Sequence, residues 1–309
     1  MSLLDRALVR TLPAVPRQVV KRLSSRYIAG PELHDAVRVV KDLNARGRMA
    51  TIDVLGEEIH THEEATALAG EYERVFGVIR DEGLDANVSV KPTGLGLKLD
   101  YDLCRDLLAR LTRRADEDGR FVRIDMEDAT TTSDTLSIYR ELRELGLGSR
   151  SVGPVLQARL RRTLDDVESI ADLKPSVRIC KGIYLEPEAI AFQGFDEIRE
   201  NFVAALDALL DAGAYVAIAT HDEWLVEQAL GRIHARRLER DEYEFQMLLG
   251  VAGGLGERLV ESGHRLRIYV PYGRRWYEYS MRRLQENPQI AMYVARDTLG
   301  RLVPGRNGS

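Results

Sequence analysis

Phe121-Val122-Arg123-Ile124-Asp125, a helix-length segment, and then Ser151-Val152-Gly153-Pro154-Val155-Leu156-Gln157 form the unit on which the reading of the fold turns. The two flanking runs are short and β-rich, and the segment between them is long and charged. That is the pattern of two parallel strands joined by a crossover helix. Outward from this unit the alternation repeats, with further strand candidates at Met49 to Val54, Asn87 to Lys91, Val177 to Lys181, Tyr215 to Thr220, Glu244 to Leu248 and Leu266 to Val270. Intervening segments carry apolar residues at helical spacing, Leu107, Leu108 and Leu111 in one and Phe202, Leu206, Leu209 and Leu210 in another. Eight such units predict the α/β class and a (βα)8 TIM-like barrel with the helices as its jacket. A doubly wound open sheet would alternate in the same way, but no GxGxxG opens any helix. The expected organisation is an N-terminal helical arm over residues 1–48, a catalytic barrel over 49–302 with a final helix over its mouth, and a disordered tail over 303–309.

Composition narrows the function. With 309 residues, 44% of them hydrophobic, the chain has ample material for one large core. Lys and Arg number 44 against 49 Asp and Glu, a net charge of −5, which argues against a nucleic-acid partner and for a small molecule. Cys104 and Cys180 stand far apart with no CxxC and no histidine cluster, so neither a disulfide framework nor a metal site is legible. A reducing cytoplasm fits that usage. No stretch approaches the roughly 18 apolar residues of a membrane span. The N-terminus is the compositional anomaly: Arg6, Arg10, Arg17, Lys21, Arg22 and Arg26 are opposed only by Asp5 before Glu32. A transit peptide or a membrane-surface helix has this character, but Pro13 and Pro16 interrupt it, and a cover for the barrel is the simpler reading.

Active sites of such barrels lie at the C-terminal ends of the strands, and here those ends are unusually polar. Unpaired buried charges are costly, so these groups must pair with one another, with water or with a ligand. Lys91 and Asp125, at the ends of neighbouring strands, are the first expected pair. They would serve a ligand or act as a structural clasp, while Lys91 as a Schiff-base nucleophile is disfavoured by the acids nearby. Arg178 shares parity with Cys180 and points inward, toward an anion, an electron-rich ring, or Asp125 as a network partner. Beyond Tyr269 and Tyr272, Tyr279 stands three and four residues before Arg282 and Arg283, so on a helix its ring braces either guanidinium. The two arginines would fork onto one carboxylate or form a solvated cationic face.

Taken in order, Lys91-Pro92-Thr93, Ile124-Asp125-Met126-Glu127, Arg178-Ile179-Cys180-Lys181-Gly182-Ile183-Tyr184, Ala219-Thr220-His221-Asp222, Tyr269-Val270-Pro271-Tyr272-Gly273 and Tyr279-Ser280-Met281-Arg282-Arg283-Leu284 resemble the proline dehydrogenase family, in its monofunctional bacterial form. The resemblance implies a noncovalent FAD held by Met126, Gln157, Arg178, Lys181, Gly182, Ile183, Thr220 and His221. It implies that Lys91, Arg282 and Arg283 hold the carboxylate of L-proline, with Tyr184, Tyr269 and Tyr279 walling the ring. Asp125 and Arg178 are then the catalytic pair, the first setting the charge around Lys91 and the arginines and the second serving the flavin. The implied reaction is hydride transfer from proline C5 to flavin N5, giving 1-pyrroline-5-carboxylate. Electrons would pass to a membrane quinone, the product to a separate pyrroline-5-carboxylate dehydrogenase. The enzyme would be cytoplasmic, touching the inner face of the membrane if the basic arm serves that purpose. Family members often carry alanine where this chain has Met126 and Ile183. No GxGxxG is present and the chain ends soon after Leu284, so a fused aldehyde dehydrogenase is not expected.

Overall fold

The computed structural model of this chain describes residues 26–56, 59–148, 150–251, 253–277 and 279–281. Arg282 and Arg283, the expected final helix, the expected tail and most of the basic arm lie outside them. Eight parallel strands pair in chain order and close on themselves: β1 (Met49–Val54), β2 (Ala86–Val90), β3 (Val122–Ile124), β4 (Val152–Gln157), β5 (Ser176–Cys180), β6 (Tyr215–Ala219), β7 (Tyr243–Leu248) and β8 (Leu266–Tyr272). The expected barrel is thus the observed one, and the open sheet is excluded. Closure between β8 and β1 runs from Met49 beside Arg267 to Val54 beside Tyr272.

Helices separate the strands: α1 (Leu33–Ala45) precedes β1, and α2 (His62–Asp81), α3 (Tyr101–Asp118), α4 (Thr132–Glu144), α5 (Thr163–Ile170), α6 (Phe195–Asp211), α7 (Glu223–Arg236) and α8 (Gly253–Glu261) follow β1 through β7. Their starts are written locally. Thr61 caps α2 by accepting from the Glu64 amide at 3.2 Å, while the Glu64 carboxylate reaches back to the Thr61 amide. Asp100 caps α3, which stops at left-handed Gly119. The buried stripe of α2, Ala65, Ala69, Tyr72, Val75, Phe76 and Ile79, has the period of one helical face and packs on the sheet. Among the described residues no helix is long and apolar enough to cross a membrane.

The barrel is polar inside and apolar outside. On β5, β7 and β8, Val177, Ile179, Phe245, Met247, Ile268 and Val270 lie under the helices and are at most 2% exposed. Residues of the opposite parity, Arg178, Glu244, Gln246, Arg267 and Tyr269, bond to one another or to groups on other strands across the interior. Filling a barrel with ionic groups is tolerable only when each has a partner.

Gly153 on β4 shows how tight that filling is. A Cβ there would lie 1.9 Å from the carbonyl oxygen of Ser176 and 2.9 Å from Arg123 Nη1, which itself donates to Ser176 O at 2.6 Å. Gly153→Ala should therefore destabilise the fold by about 3 kcal/mol or more, the upper end for an overpacked core. An unchanged urea midpoint would rule this out.

Candidate active site

The C-terminal ends of β1, β2, β3, β5 and β8 converge on one ionic cluster. Arg178 donates from Nη1 to Asp125 Oδ1 at 2.6 Å and to Ser89 Oγ at 3.3 Å. Asp125 also accepts from Ser89 Oγ at 2.7 Å and from the Tyr269 hydroxyl at 2.9 Å. Lys91 Nζ donates to Tyr269 Oη at 3.1 Å and lies 5.7 Å from the centre of that ring, with the Arg178 guanidinium at 5.4 Å. These contacts join residues far apart in sequence because β8 closes against β1, beside β2.

Lys91 and Asp125 are ion-paired as expected, at 3.5 Å, but Asp125 is not the nearer acid. Asp53 on β1 holds Lys91 through both carboxylate oxygens at 3.0 Å each, and its side chain is fully buried. Behind it Tyr72 of α2, also buried, donates to the Ser89 carbonyl at 2.8 Å and lies 3.3 Å from Asp53 Oδ1. Two acids within 3.5 Å of this amine count against the neutral nucleophile that a Schiff-base lyase needs. Burial opposes ionisation of Asp125, but Arg178 and then Lys91, with the bonds from Ser89 and Tyr269, outweigh it and hold its pKa below the usual carboxylate value. Burial, with Asp125 next, pushes the Tyr269 phenol well above its ordinary range.

Beneath this cluster lies a second one. Arg178 Nε donates to Gln246 Oε1 at 2.5 Å, and Gln246 Nε2 donates in turn to Glu244 Oε1. Glu244 is gripped by Arg267 at 2.8 and 3.1 Å and accepts from the Tyr215 hydroxyl at 3.0 Å. Burial raises its pKa, but Arg267 dominates and holds it at about 2. Arg123 completes the floor; its burial, then the nearby Arg178, lower its pKa to about 9. Nothing among the described residues meets Arg178 Nη2, a buried donor with no hydrogen-bond partner.

The remaining predicted residues ring the same mouth. Gln157 at the end of β4 donates to the Glu127 carbonyl at 2.7 Å. Gly182 has φ +89°, and a Cβ there would sit 2.8 Å from Gln157 Oε1, so only glycine lets the chain after β5 pass so close. Lys181 is paired with Asp222, which Arg199 also grips at 2.7 and 2.8 Å. Thr220 Oγ1 accepts from the Asp222 amide at 3.1 Å, and His221 Nε2 accepts from the Leu248 amide at 2.9 Å, which leaves that nitrogen without a proton. Met126 is buried, Tyr184 half-buried and Ile183 exposed. Tyr279 is buried against Ile28 and Leu55.

Sequence reasoning missed Asp53, Gln246 and Glu244. Their signal was an acid or amide inside an apolar run: Thr51-Ile52-Asp53-Val54 and Glu244-Phe245-Gln246-Met247 put the polar residues on one parity, which must then face the barrel interior.

A protein-family model described as proline dehydrogenase matches residues 36–296. Proline dehydrogenase 1 of Bacillus subtilis subsp. natto is 35% identical over 291 residues, 94% of this chain and 95% of that protein. Proline dehydrogenase of Deinococcus radiodurans is 35% identical over 287 residues, 92% of each chain. A crystal structure of proline utilization A from Bdellovibrio bacteriovorus, inactivated by N-propargylglycine, superposes with a TM-score of 0.83 at 22% identity over 96% of this chain, which spans 38% of that longer one.

Proposed function

Since this chain belongs to the proline dehydrogenase family, we propose that its barrel mouth binds a noncovalent FAD and oxidises L-proline to 1-pyrroline-5-carboxylate. The observation that carries the cofactor is Arg178 Nη2, a buried donor with no protein acceptor on the residue that binds Asp125 and Gln246 inside the barrel. A buried N–H of this kind requires an acceptor, and the nitrogen and oxygen edge of a flavin offers one. The close passage at Gly182 supports the same fit, because it packs the backbone after β5 directly against Gln157, another of the expected cofactor residues. Gln157, Arg178, Lys181, Gly182, Thr220 and His221 would hold the cofactor, with Met126 and Ile183 beside it. Bound there, FAD supplies the hydride acceptor.

The protein's own part is binding, orientation and charge. Lys91, Arg282 and Arg283 hold the proline carboxylate, and Tyr184, Tyr269 and Tyr279 close around the ring, so that positioning supplies much of the rate. Asp125 keeps Lys91 and Arg178 apart yet fixed, since it binds the second and lies 3.5 Å from the first. Tyr269, with its pKa pushed well up and its proton donated to Asp125, is a wall and not the base that takes the amine proton. A membrane quinone would take the electrons and a separate dehydrogenase the product; the enzyme would be cytoplasmic, touching the inner membrane face if the basic N-terminal arm serves that purpose.

The test is an anaerobic visible spectrum of the purified protein before and after L-proline. Oxidised-flavin bands that bleach are expected; a colourless protein that FAD fails to reconstitute would remove the proposal. Arg283→Met should raise the KM for proline by at least about tenfold with FAD content unchanged, because a carboxylate contact is lost and the cofactor site is not touched. An unaltered KM would remove Arg283 from the carboxylate clamp.

A further inference from the structure

Arg178 is the residue on which the cofactor reading depends, and its direction is not set by its own strand. A guanidinium on a long, flexible stem has a free edge only if its other edges are taken. Asp125 and Ser89 take Nη1, and Gln246 takes Nε. Gln246 can do so only with its carbonyl oxygen turned toward Arg178; with the amide flipped, an N–H would face an N–H. Glu244 removes that alternative. It is ionised, hence an acceptor only, and it binds Gln246 Nε2, so a flipped amide would also set oxygen against carboxylate. Arg267 and Tyr215 in turn occupy Glu244 from β8 and β6. The network therefore fixes both Nε and Nη1 and leaves Nη2 as the unpartnered nitrogen of Arg178.

We propose that Gln246, oriented by Glu244, is a positioning residue for the oxidation: it aims the unpartnered Nη2 edge of Arg178 at the bound cofactor. The inference rests on the flavin reading above. Gln246 itself touches neither substrate nor cofactor in this assignment. Its loss frees Nε, lets the guanidinium turn about its stem, and weakens the positive charge felt at the cofactor.

The experiment compares wild-type protein with Gln246→Met, which keeps the length of the side chain and loses the acceptor, and with Gln246→Glu, which keeps it. Two carboxylates in contact share a proton, so the second variant restores both an acceptor for Arg178 and a donor to Glu244. Flavin content, the midpoint potential of the bound flavin, and kcat and KM for proline are measured on each. Gln246→Met is expected to retain flavin, to shift the potential to a more negative value, and to lower kcat by at least about tenfold with KM within about twofold, the size of one charge-assisted hydrogen bond. Gln246→Glu should recover most of the kcat and of the potential. The proposal is overturned if Gln246→Met keeps the wild-type kcat and potential, or if kcat falls only in proportion to flavin lost. Should Gln246→Met fail to fold, a Gln246→Glu protein that folds with flavin yet has a kcat lowered tenfold overturns it too. A wild-type protein that binds no flavin sinks the cofactor reading, and the positioning role with it; a flavin-loaded wild type with an unaffected variant sinks the positioning role alone.

Discussion

Asp125→Ala should lower kcat/KM for proline by about a hundredfold or more, and should cost about 3–5 kcal/mol of folding stability. Asp125 binds three side chains from three other strands, Ser89, Arg178 and Tyr269, and pairs with Lys91 as well. Removing it leaves the Arg178 guanidinium, 8% exposed, without its anion. It also releases the Tyr269 hydroxyl from its acceptor and leaves it beside the donor Lys91. Asp125→Asn separates the two effects. The amide keeps the shape and one acceptor, so most of the stability should return, whereas turnover should stay low because the charge that holds Arg178 is gone. Urea denaturation and proline-dependent dye reduction measure the two. An alanine variant within about twofold of wild type in kcat/KM, with the same urea midpoint, would show that Asp125 organises nothing.

Glu244→Gln is expected to destabilise the folded chain by about 3 kcal/mol near neutral pH, with the penalty fading in acid. The folded-state pKa of about 2 lies below the ordinary 4.5, so the carboxylate contributes stability that is fully present above about 4.5. That contribution is lost as pH falls through the folded value. The difference in unfolding free energy between wild type and Glu244→Gln should therefore be constant above about pH 5 and shrink between about 4.5 and 2. A depression of that size corresponds to about 3 kcal/mol, and the group is buried enough that solvent screening takes little of it. A difference that held steady down to pH 2 would mean that Arg267 does not depend on the charge of Glu244.

The barrel was legible because its evidence is local. Each strand is a short β-rich run between helix-length segments, and the period of the pattern states how many there are. The strands differ from expectation only at their ends, as at β8, which continues through Pro271 and Tyr272. The rim residues were legible for a related reason: Lys91, Asp125, Arg178 and Lys181 stand at strand ends, where this architecture puts its chemistry. What sequence did not disclose was partnership. Lys91 was matched to Asp125 because their strands are neighbours, but β1 is equally adjacent to β2, and Asp53 reaches Lys91 from that side. The acid of Thr51-Ile52-Asp53-Val54 reads as an ordinary interruption of a strand until closure brings β1 against both β2 and β8. Gln246 and Glu244 were missed because an amide and an acid two residues apart announce a shared face, not which arginine lies opposite.

The members of this charge network, Asp53, Ser89, Lys91, Asp125, Arg178, Glu244, Gln246, Arg267 and Tyr269, stand on strands or directly at their ends, and from the jacket Tyr72 of α2 bonds to Asp53 and to the Ser89 carbonyl. That divides the labour of the chain in a way that matters for its descent. Elsewhere the outer helices are freer to drift in length and sequence. The inner staves are not, because each charge answers to residues on several others. Such a site is inherited whole: it cannot be carried to another protein by grafting a loop, and lineages that keep the chemistry must keep the ring.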